Sequence, residues 1–560
     1  MTGPAAPMLP LKDTVLFAPR PEPKLAESGL AGGVVAVRRR DLEAVEGPDG
    51  SQVLVVKGAR PLPGDDVVWS TVAVVAPVVV DDHGRLAVDG WLPNHVRLGV
   101  LEQHLGAGVI EEVVAASQAR PLAPGEEPRQ RRERLMSLPL VVRMLLAMTL
   151  LPNSSYVEVM AHVVGVLPRL PWVKSWHVPS STVFTEWRRL LGAEAMRQVF
   201  IRVAGPIVAA TDLRGLWLGL RVCALDGFQV KVADSEANRA AFDSSGTCGG
   251  ARGPFPQVRV VVATARAGRA LLDAVLAASR VGEMTLAWRL FNQRPDLFTP
   301  GHVYVLDRNF GSYEFLHTIH SQGKGAHFVV RMKSNVNLPV VERLSDGEYL
   351  SYLRLRDGRH IKVRVVEYDV AKADNTISEL FCVATTLLDP HTHPKLAIAE
   401  VYHQRWSASE TTIGENKSTI TDAGPTRGPS LRPTTPTLVR QEIWAWLAAT
   451  QLVRRSAHAA AQTTTHVSTD QISFTTARRE ATRSMTQSAV TATTSPAALA
   501  EAADRAARAA LANLVTTDRD RHSPRAQKWR PNFAHTRTTK TTTHGPLTPT
   551  FGATLRPNTS

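Results

Sequence analysis

Cysteine is scarce in this chain: three residues in 560, Cys223, Cys248 and Cys382, far apart and with no CxxC pair. That excludes a disulfide framework and leaves a cysteine zinc site without support. Long hydrophobic runs are missing too. Val67 to Val80 is apolar for 14 residues but contains Pro77, and Leu138 to Leu151 is interrupted by Arg143. A spanning helix needs about 20 such residues. Acids and prolines fill the first 25 residues, with no apolar signal-peptide region. A soluble intracellular protein without membrane contact is therefore expected. No P-loop of the GxxxxGKS or GxxxxGKT type occurs, and no GxSxG or HExxH, so ATP-driven, serine-hydrolase and zincin chemistry lack a motif.

What is present is globular. Hydrophobic residues make up 44% and charged residues 21%, enough to bury a core and to exclude wholesale disorder and fibrous classes. The length suits about three or four domains. Lys and Arg outnumber Asp and Glu by 65 to 51, a net charge of +14, which leans towards a polyanionic partner.

Composition shifts along the chain. Residues 1–88 are rich in Gly, Pro and Val, with short β-like runs such as Gln52 to Lys57 and no recognisable chemistry. They read as an N-terminal extension of unknown role, either a small accessory domain or a poorly ordered segment. Residues 89–210 show helical spacing in Val96 to Leu105, Ile110 to Ala116, Leu138 to Leu151 and Tyr156 to Leu167, then a helix after Pro179-Ser180-Ser181-Thr182. Arg188 and Arg189 on that last helix are candidate phosphate contacts, or a solvated face.

Residues 211–460 read as α/β. Strands are expected over Leu216 to Leu225, Phe228 to Val232 and Val258 to Ala265, and helical stretches over Leu271 to Ala278 and Met284 to Phe291. A strand His302 to Leu306, a helix Tyr313 to His320 and a strand His327 to Met332 follow. That order is found in ribonuclease-H-like domains. Residues 336–395 form a β-rich insertion before a helix near Ile398 and another over Thr437 to Arg455. The basic tail, 461–560, is dense in Thr and Ala. Residues 451–560 hold 15 Lys and Arg against 6 Asp and Glu, which suits nonspecific nucleic-acid contact or solvation. Arg454-Arg455 reads as a helix-end cap, and His391 and His393, between Pro390 and Pro394, as a plain turn rather than a metal clip.

Asp226 and Asp307 each sit where an apolar strand is expected to end. A carboxylate there points out of a sheet edge, and phosphodiester chemistry with Mg²⁺ needs such oxygen ligands converging from several elements. One such Asp is usually a turn residue; two in this order, before an acid-bearing helix, shift the odds.

The residues around them carry a resemblance. Leu225-Asp226-Gly227-Phe228 with Asp234 to Asn238 and Phe242, Val305 to Phe310, Phe328 to Ser334, Tyr402-His403-Gln404-Arg405-Trp406 with Glu410, Gly414, Glu415 and Lys417, and Leu431 to Glu442 resemble, in order, the motifs of DDE transposases of the insertion element 4 family. The helical stretch from about 90 to 205 is also similar to that family's N-terminal domain. The likeness covers roughly 90 to 460. It implies a ribonuclease-H-like core with a β-rich insertion behind an all-α domain, two Mg²⁺ (or Mn²⁺) ions, cleavage at element ends and strand transfer into target DNA. By position it makes Asp226, Asp307 and Glu410 the metal-binding catalytic triad. It places Tyr402, Arg405 and Lys417 on the DNA backbone, with Arg308 beside the second aspartate. It further implies double-stranded DNA as partner, a homodimer in the DNA complex, and action in the bacterial cytoplasm at the nucleoid.

The chain departs from the family pattern. The family glutamate falls four residues after the arginine; here Ser409 takes that place and Glu410 follows. Five residues put Arg405 and Glu410 about 140° apart on a regular helix. Either the helix bulges between them or one does not do its family job. The intact spacing from Glu410 to Lys417 favours Glu410. Phe228 stands where the family has a small hydroxyl residue. An active transposase and a catalytically inactive DNA-binding relic both fit, with Ser409 as the dividing feature. A nuclease without a transposition role is a third reading.

Overall fold

A computed structural model describes residues 98–106, 108–118, 137–152, 154–164, 179–209, 216–243, 255–321, 325–333, 336–370, 380–405, 431–491, 496–515 and 549–551, together with the backbone of seven short strands before residue 89. The chain divides into two compact units. One takes in Met1–Gln103, Val114–Leu191 and Ala481–Ala503; the other takes in His104–Val113, Gly192–Glu480 and Asp504–Ser560.

In the first unit the early strands pair antiparallel: Thr14–Ala18 between Val35–Arg38 and Ala73–Val74, and hairpins Leu42–Glu46 with Gln52–Val56 and Val78–Val80 with Leu86–Val88. From 98 to 209 every regular element among the described residues is helical. The principal ones are α1 (Val109–Gln118, in the second unit up to Val113), α2 (Leu138–Leu150), α3 (Tyr156–Val164) and α4 (Ser181–Ala209, which passes into the second unit at Gly192). Helix α2 starts on Ser137, whose hydroxyl accepts from the Leu140 N–H at 3.4 Å, with Pro139 in the first turn. It is buried nearly all round, and its one charge, Arg143, meets Glu102 at 3.1 Å. Gly192, at φ 75°, interrupts α4 with a backbone conformation that side chains disfavour.

The second unit is built on one sheet of eleven strands among the described residues. Its path uses β1 (Leu220–Lys231), β2 (Gln257–Ala265), β3 (Ala270–Ala278), β4 (His302–Leu306), β5 (His327–Arg331), β6 (Glu342–Ser345), β7 (Glu348–Arg354), β8 (His360–Val370) and β9 (Phe381–Thr385). The spatial order is β3-β2-β1-β4-β5-β9-β8-β7-β6. Strand β2 runs antiparallel to β1 and β3, while β4 is parallel to both β1 and β5. This mixed sheet with helices fits a ribonuclease-H-like α/β core. The β-rich region expected as an insertion extends the same sheet, joined to it through β9 on β5.

Two strand expectations are corrected. Leu271 to Ala278, expected as helix, is strand β3: leucine and alanine favour a helix locally, but the segment pairs with β2 from Ala278 opposite Val258 to Ala270 opposite Ala265. Asp226-Gly227, expected as a turn, lies inside β1, because β2 pairs with β1 continuously from Lys231 to Cys223.

The helices of the second unit are α5 (Glu236–Phe242), α6 (Glu283–Gln293), α7 (Tyr313–Ser321), α8 (Lys395–Arg405), α9 (Pro436–Gln462), α10 (Phe474–Thr491, which crosses into the first unit at Ala481) and α11 (Pro496–Ala512, likewise shared). Helices cover both sheet faces. Leu286, Ala287 and Leu290 of α6 pack with Cys223 and Leu225, and Ile398, Val401 and Tyr402 of α8 pack with Val222, Val303 and Val305. Strand β3 is an edge; α9 lies along it, and the Leu271 N–H donates to Gln451 Oε1 at 2.9 Å.

Candidate active site

The register of β4 on β1 sets the two aspartates. Val305 lies opposite Ala224 in the parallel pair, so Asp307 and Asp226, each two residues on, fall at one level on neighbouring strands. Parallel neighbours stand about 4.8 Å apart and registered residues share a face. That face is the one carrying Val222, Val303 and Val305 under α8. Both aspartates are half-buried, because β4 ends there and leaves the flank of β1 uncovered. Asp226 Oδ1 accepts from the Gly227 N–H at 2.7 Å. Asp307 Oδ1 accepts from the Asn309 N–H at 2.7 Å and so folds its own turn, anchored by buried Phe310.

Two charged residues not singled out by sequence reasoning join them. Leu306 pairs with Val330, so Arg331 stands beside Asp307 on the next strand, its guanidinium 4.3 Å from the Phe381 ring centroid. Glu283, the first residue of α6, lies over Gly227 on the opposite sheet face. A Cβ placed on Gly227 would lie 2.8 Å from Glu283 Oε1. Arg259 Nη1 pairs with that oxygen at 3.3 Å. Burial pushes the Glu283 carboxyl up; Arg259 opposes, and the charges of Asp307 and Asp226 add to the rise. In sequence Glu283 reads only as an acid in a helix's first turn, where the dipole favours it; nothing local links it to the aspartates.

Tyr402 and Arg405 lie on α8 and are both buried. Burial pushes the Tyr402 hydroxyl up, Arg405 and Arg331 oppose, and Asp307 adds to the rise. Tyr402, Arg405, Arg331 and Asp307 therefore share one electrostatic neighbourhood. Gln404 between them accepts a hydrogen bond from Arg266. Arg308 is exposed next to Asp307. Ser409, Glu410 and Lys417 lie outside the described residues. Among the described residues no three His, Cys, Asp or Glu side chains are grouped to hold a metal ion.

The structure corrects Arg188 as a phosphate contact. It is fully buried in the first unit, donating to the Tyr156 hydroxyl at 2.8 Å under the Tyr156 and Phe184 rings. Arg189 is exposed and pairs with Glu186. Arg454 and Arg455 are not at a helix end, since α9 continues to Gln462. Arg454 is buried 4.6 Å from the Phe474 ring, and Arg455 donates to the His104 carbonyl. His391 and His393 lie on a turn that Asp389 closes through the His391 N–H at 2.9 Å and the Thr392 hydroxyl at 2.6 Å. Phe228, where the family has a small hydroxyl residue, is buried edge-on against Trp446 of α9 at 5.6 Å.

Two family models match this chain. Residues 95–201 match the insertion element 4 transposase N-terminal domain, and residues 217–428 match the transposase DDE domain. The chain belongs to the insertion element 4 family of DDE transposases. The transposase InsG for insertion sequence element IS4 of Escherichia coli K12 is 26% identical over 51% of this chain and 62% of its own length. InsZ of the same strain is 27% identical over 28% of this chain and 52% of its own length. The chain thus spans less than two thirds of the curated relatives it matches. A cryo-EM structure of the piggyBac transposase synaptic complex with hairpin DNA superposes with a TM-score of 0.36 at 8% identity, over 75% of this chain and 86% of that one.

Proposed function

We propose that this chain cuts DNA at the ends of an insertion element and joins the freed ends to target DNA. One observation carries the reading: Asp226 and Asp307 stand at one level on neighbouring parallel strands, inside the segment matching the DDE domain. Asp226, Asp307 and Glu410 are the residues that would hold two Mg²⁺ or Mn²⁺ ions. Half-buried carboxylates at one level of the sheet, Asp226 inside β1 and Asp307 just past β4, suit these cations, which take oxygen donors. When bound, such ions activate the attacking oxygen and offset charge on the scissile phosphate.

The chain's own residues orient and neutralise. The Asn309 N–H fixes the Asp307 carboxylate. Arg405, with Arg331 beside Asp307, places positive charge where a phosphate would approach, and guanidinium groups can hold phosphate through paired donors. Tyr402 packs on the sheet with Val222, Val303 and Val305. Exposed Arg308 and, outside the described residues, Lys417 extend the phosphate-binding surface, and exposed Arg189 is a separate phosphate contact within the first unit. Residues 89–210 form the helical DNA-binding domain, residues 211–460 the catalytic domain, and 1–88 and 461–560 its extensions. Double-stranded DNA, both element end and target, is the partner. Two copies of the chain hold two ends together, in the bacterial cytoplasm at the nucleoid.

The test is cleavage of a labelled duplex carrying the element's own ends, with Mg²⁺ or Mn²⁺. Wild type cuts at the ends, and Asp226→Ala, Asp307→Ala and Glu410→Ala each abolish cutting while DNA binding persists. Ser409 supports a second reading, a DNA-binding relic without catalysis. Binding without cutting by wild type, restored by deleting Ser409, would establish that reading instead.

A further inference from the structure

We propose that Pro549–Phe551 is a clasp: it docks as a strand on the end of β8 and seats α8, the helix that carries Tyr402 and Arg405. The inference stands without the cleavage reading above and touches it only through those two residues. Strand β8 outruns its neighbours. Its pairing with β7 stops at Val366 opposite Glu348, and its pairing with β9 stops at Tyr368 opposite Phe381. Asp369 and Val370 project beyond both strands, and Thr550 and Pro549 pair antiparallel with them. Proline has no N–H to donate, which suits it to the first position of an added strand. The seat and its occupant both belong to the second unit.

The next residue reaches α8. Continuing the register sets Phe551 opposite Tyr368, and their ring centroids are 6.0 Å apart. Phe551 packs against the cluster that holds Tyr368, Ile398 and Tyr402. Lys395, the first residue of α8, places its ammonium 4.7 Å from the centre of the Phe551 ring. The same ammonium donates to Ser345 Oγ at 3.1 Å and to the Asp346 carbonyl at 3.0 Å. Inward of Tyr368 the rings run on. Tyr368 stacks on Phe381 at 5.4 Å and meets His403 of α8 edge-on at 5.8 Å. Phe381 in turn lies 4.3 Å from the Arg331 guanidinium and 6.2 Å from the Tyr402 ring. Phe551 is therefore the outer member of a row of rings whose inner members pack on Tyr402 and Arg331, the residues near Asp307. The partner that fits the seat is an extended segment with an aromatic side chain opposite Tyr368. The chain's own Pro549–Phe551 meets both requirements.

The experiment uses the full chain in two parts. Asp369→Cys with Thr550→Cys puts thiols at directly opposite register positions, where Cβ atoms stand about 4.5–5.5 Å apart. The described native cysteines, Cys223 and Cys382, are buried. Oxidation by diamide should join positions 369 and 550 within one chain, giving a linked peptide pair by mass spectrometry and no dimer on a non-reducing gel. Failure to join would overturn the docking, and joining only between two chains would overturn the same-chain occupant. Hydrogen exchange of wild type, Phe551→Ala and Phe551→Tyr then reads the seating of α8. Phe551→Ala should speed exchange of the amides from Ile398 to Arg405 by about 3- to 10-fold, the worth of one aromatic pair. Exchange in α6 and α7 should stay unchanged, and Phe551→Tyr should match wild type. Unchanged exchange of α8 in Phe551→Ala, or an equal rise in α6 and α7, would overturn the clasp.

Discussion

Arg188 lies wholly inside the fold, its charge shared between the Tyr156 hydroxyl and two aromatic faces, while Arg189 one residue on is exposed beside Glu186. Their substitution should separate stability from binding. Arg188→Ala removes a buried charge-assisted hydrogen bond and two ring contacts, and should cost about 3 kcal/mol of stability. At temperatures where the variant stays folded, its affinity for DNA should match wild type. Arg189→Ala should leave melting unchanged and lower the salt slope of DNA binding by about one. Melting curves and salt titrations of both variants check this. The residue scale is also where sequence reading reached least far. Burial of Arg188 depends on Tyr156, on a different helix. The seat of Glu283 over Gly227 depends on how α6 packs on the sheet. Asp307 was legible because a short apolar run with two valines announces β4 and an aspartate follows it.

At the scale of elements, β-branched content decided what could be read. Val258 to Ala265 and His302 to Leu306 are rich in valine and became β2 and β4. Leu271 to Ala278 carries one β-branched residue and is a strand only because β2 pairs with it. The hairpin between them was silent in sequence. Its turn puts Gly268 at φ 69° and Arg269 at φ 48°, an arrangement usually signalled by asparagine or aspartate with glycine. Tertiary charge supports this turn. Arg266, Arg269 and Arg454 all face Asp470, in the turn Thr469–Gln471 that packs on the hairpin loop. Burial, and then Arg269, push Arg454 down to about 9, with Asp470 opposing. Removing the single acid leaves like charges facing one another at low dielectric. Asp470→Asn should therefore cost about 3–5 kcal/mol in chemical denaturation. Adding Arg454→Met should recover part of that loss, and full additivity of the two changes would refute the coupling.

For the whole molecule, pH and salt are the levers. Burial, and then Arg455, push His104 down to about 4. The unfolded chain takes up a proton near pH 6.5 that the folded chain refuses until about 4. Stability is thus fully present above 6.5 and is lost as pH falls towards 4, by up to about 3 kcal/mol from this group. Denaturation midpoints at pH 7, 6 and 5 should fall in order, and His104→Gln should reduce the dependence. Under the proposed function, the net charge of +14 would make DNA affinity a counterion-release effect. Binding should weaken at least tenfold between about 50 and 200 mM salt; a flat response would exclude an extended phosphate contact.

The helix that closes the sheet edge also sets a timetable for synthesis. Strand β3 leaves the ribosome well before α9, whose Gln451 occupies the Leu271 N–H and whose Trp446 backs Phe228, two residues from Asp226. At about 5–20 residues per second, the interval is roughly 10 to 40 s. During it the nascent chain presents an apolar strand with open hydrogen-bonding groups, the kind of edge on which neighbouring chains join. A product released before residue 436 would keep that edge permanently, so premature termination yields an aggregating fragment rather than a free catalytic domain.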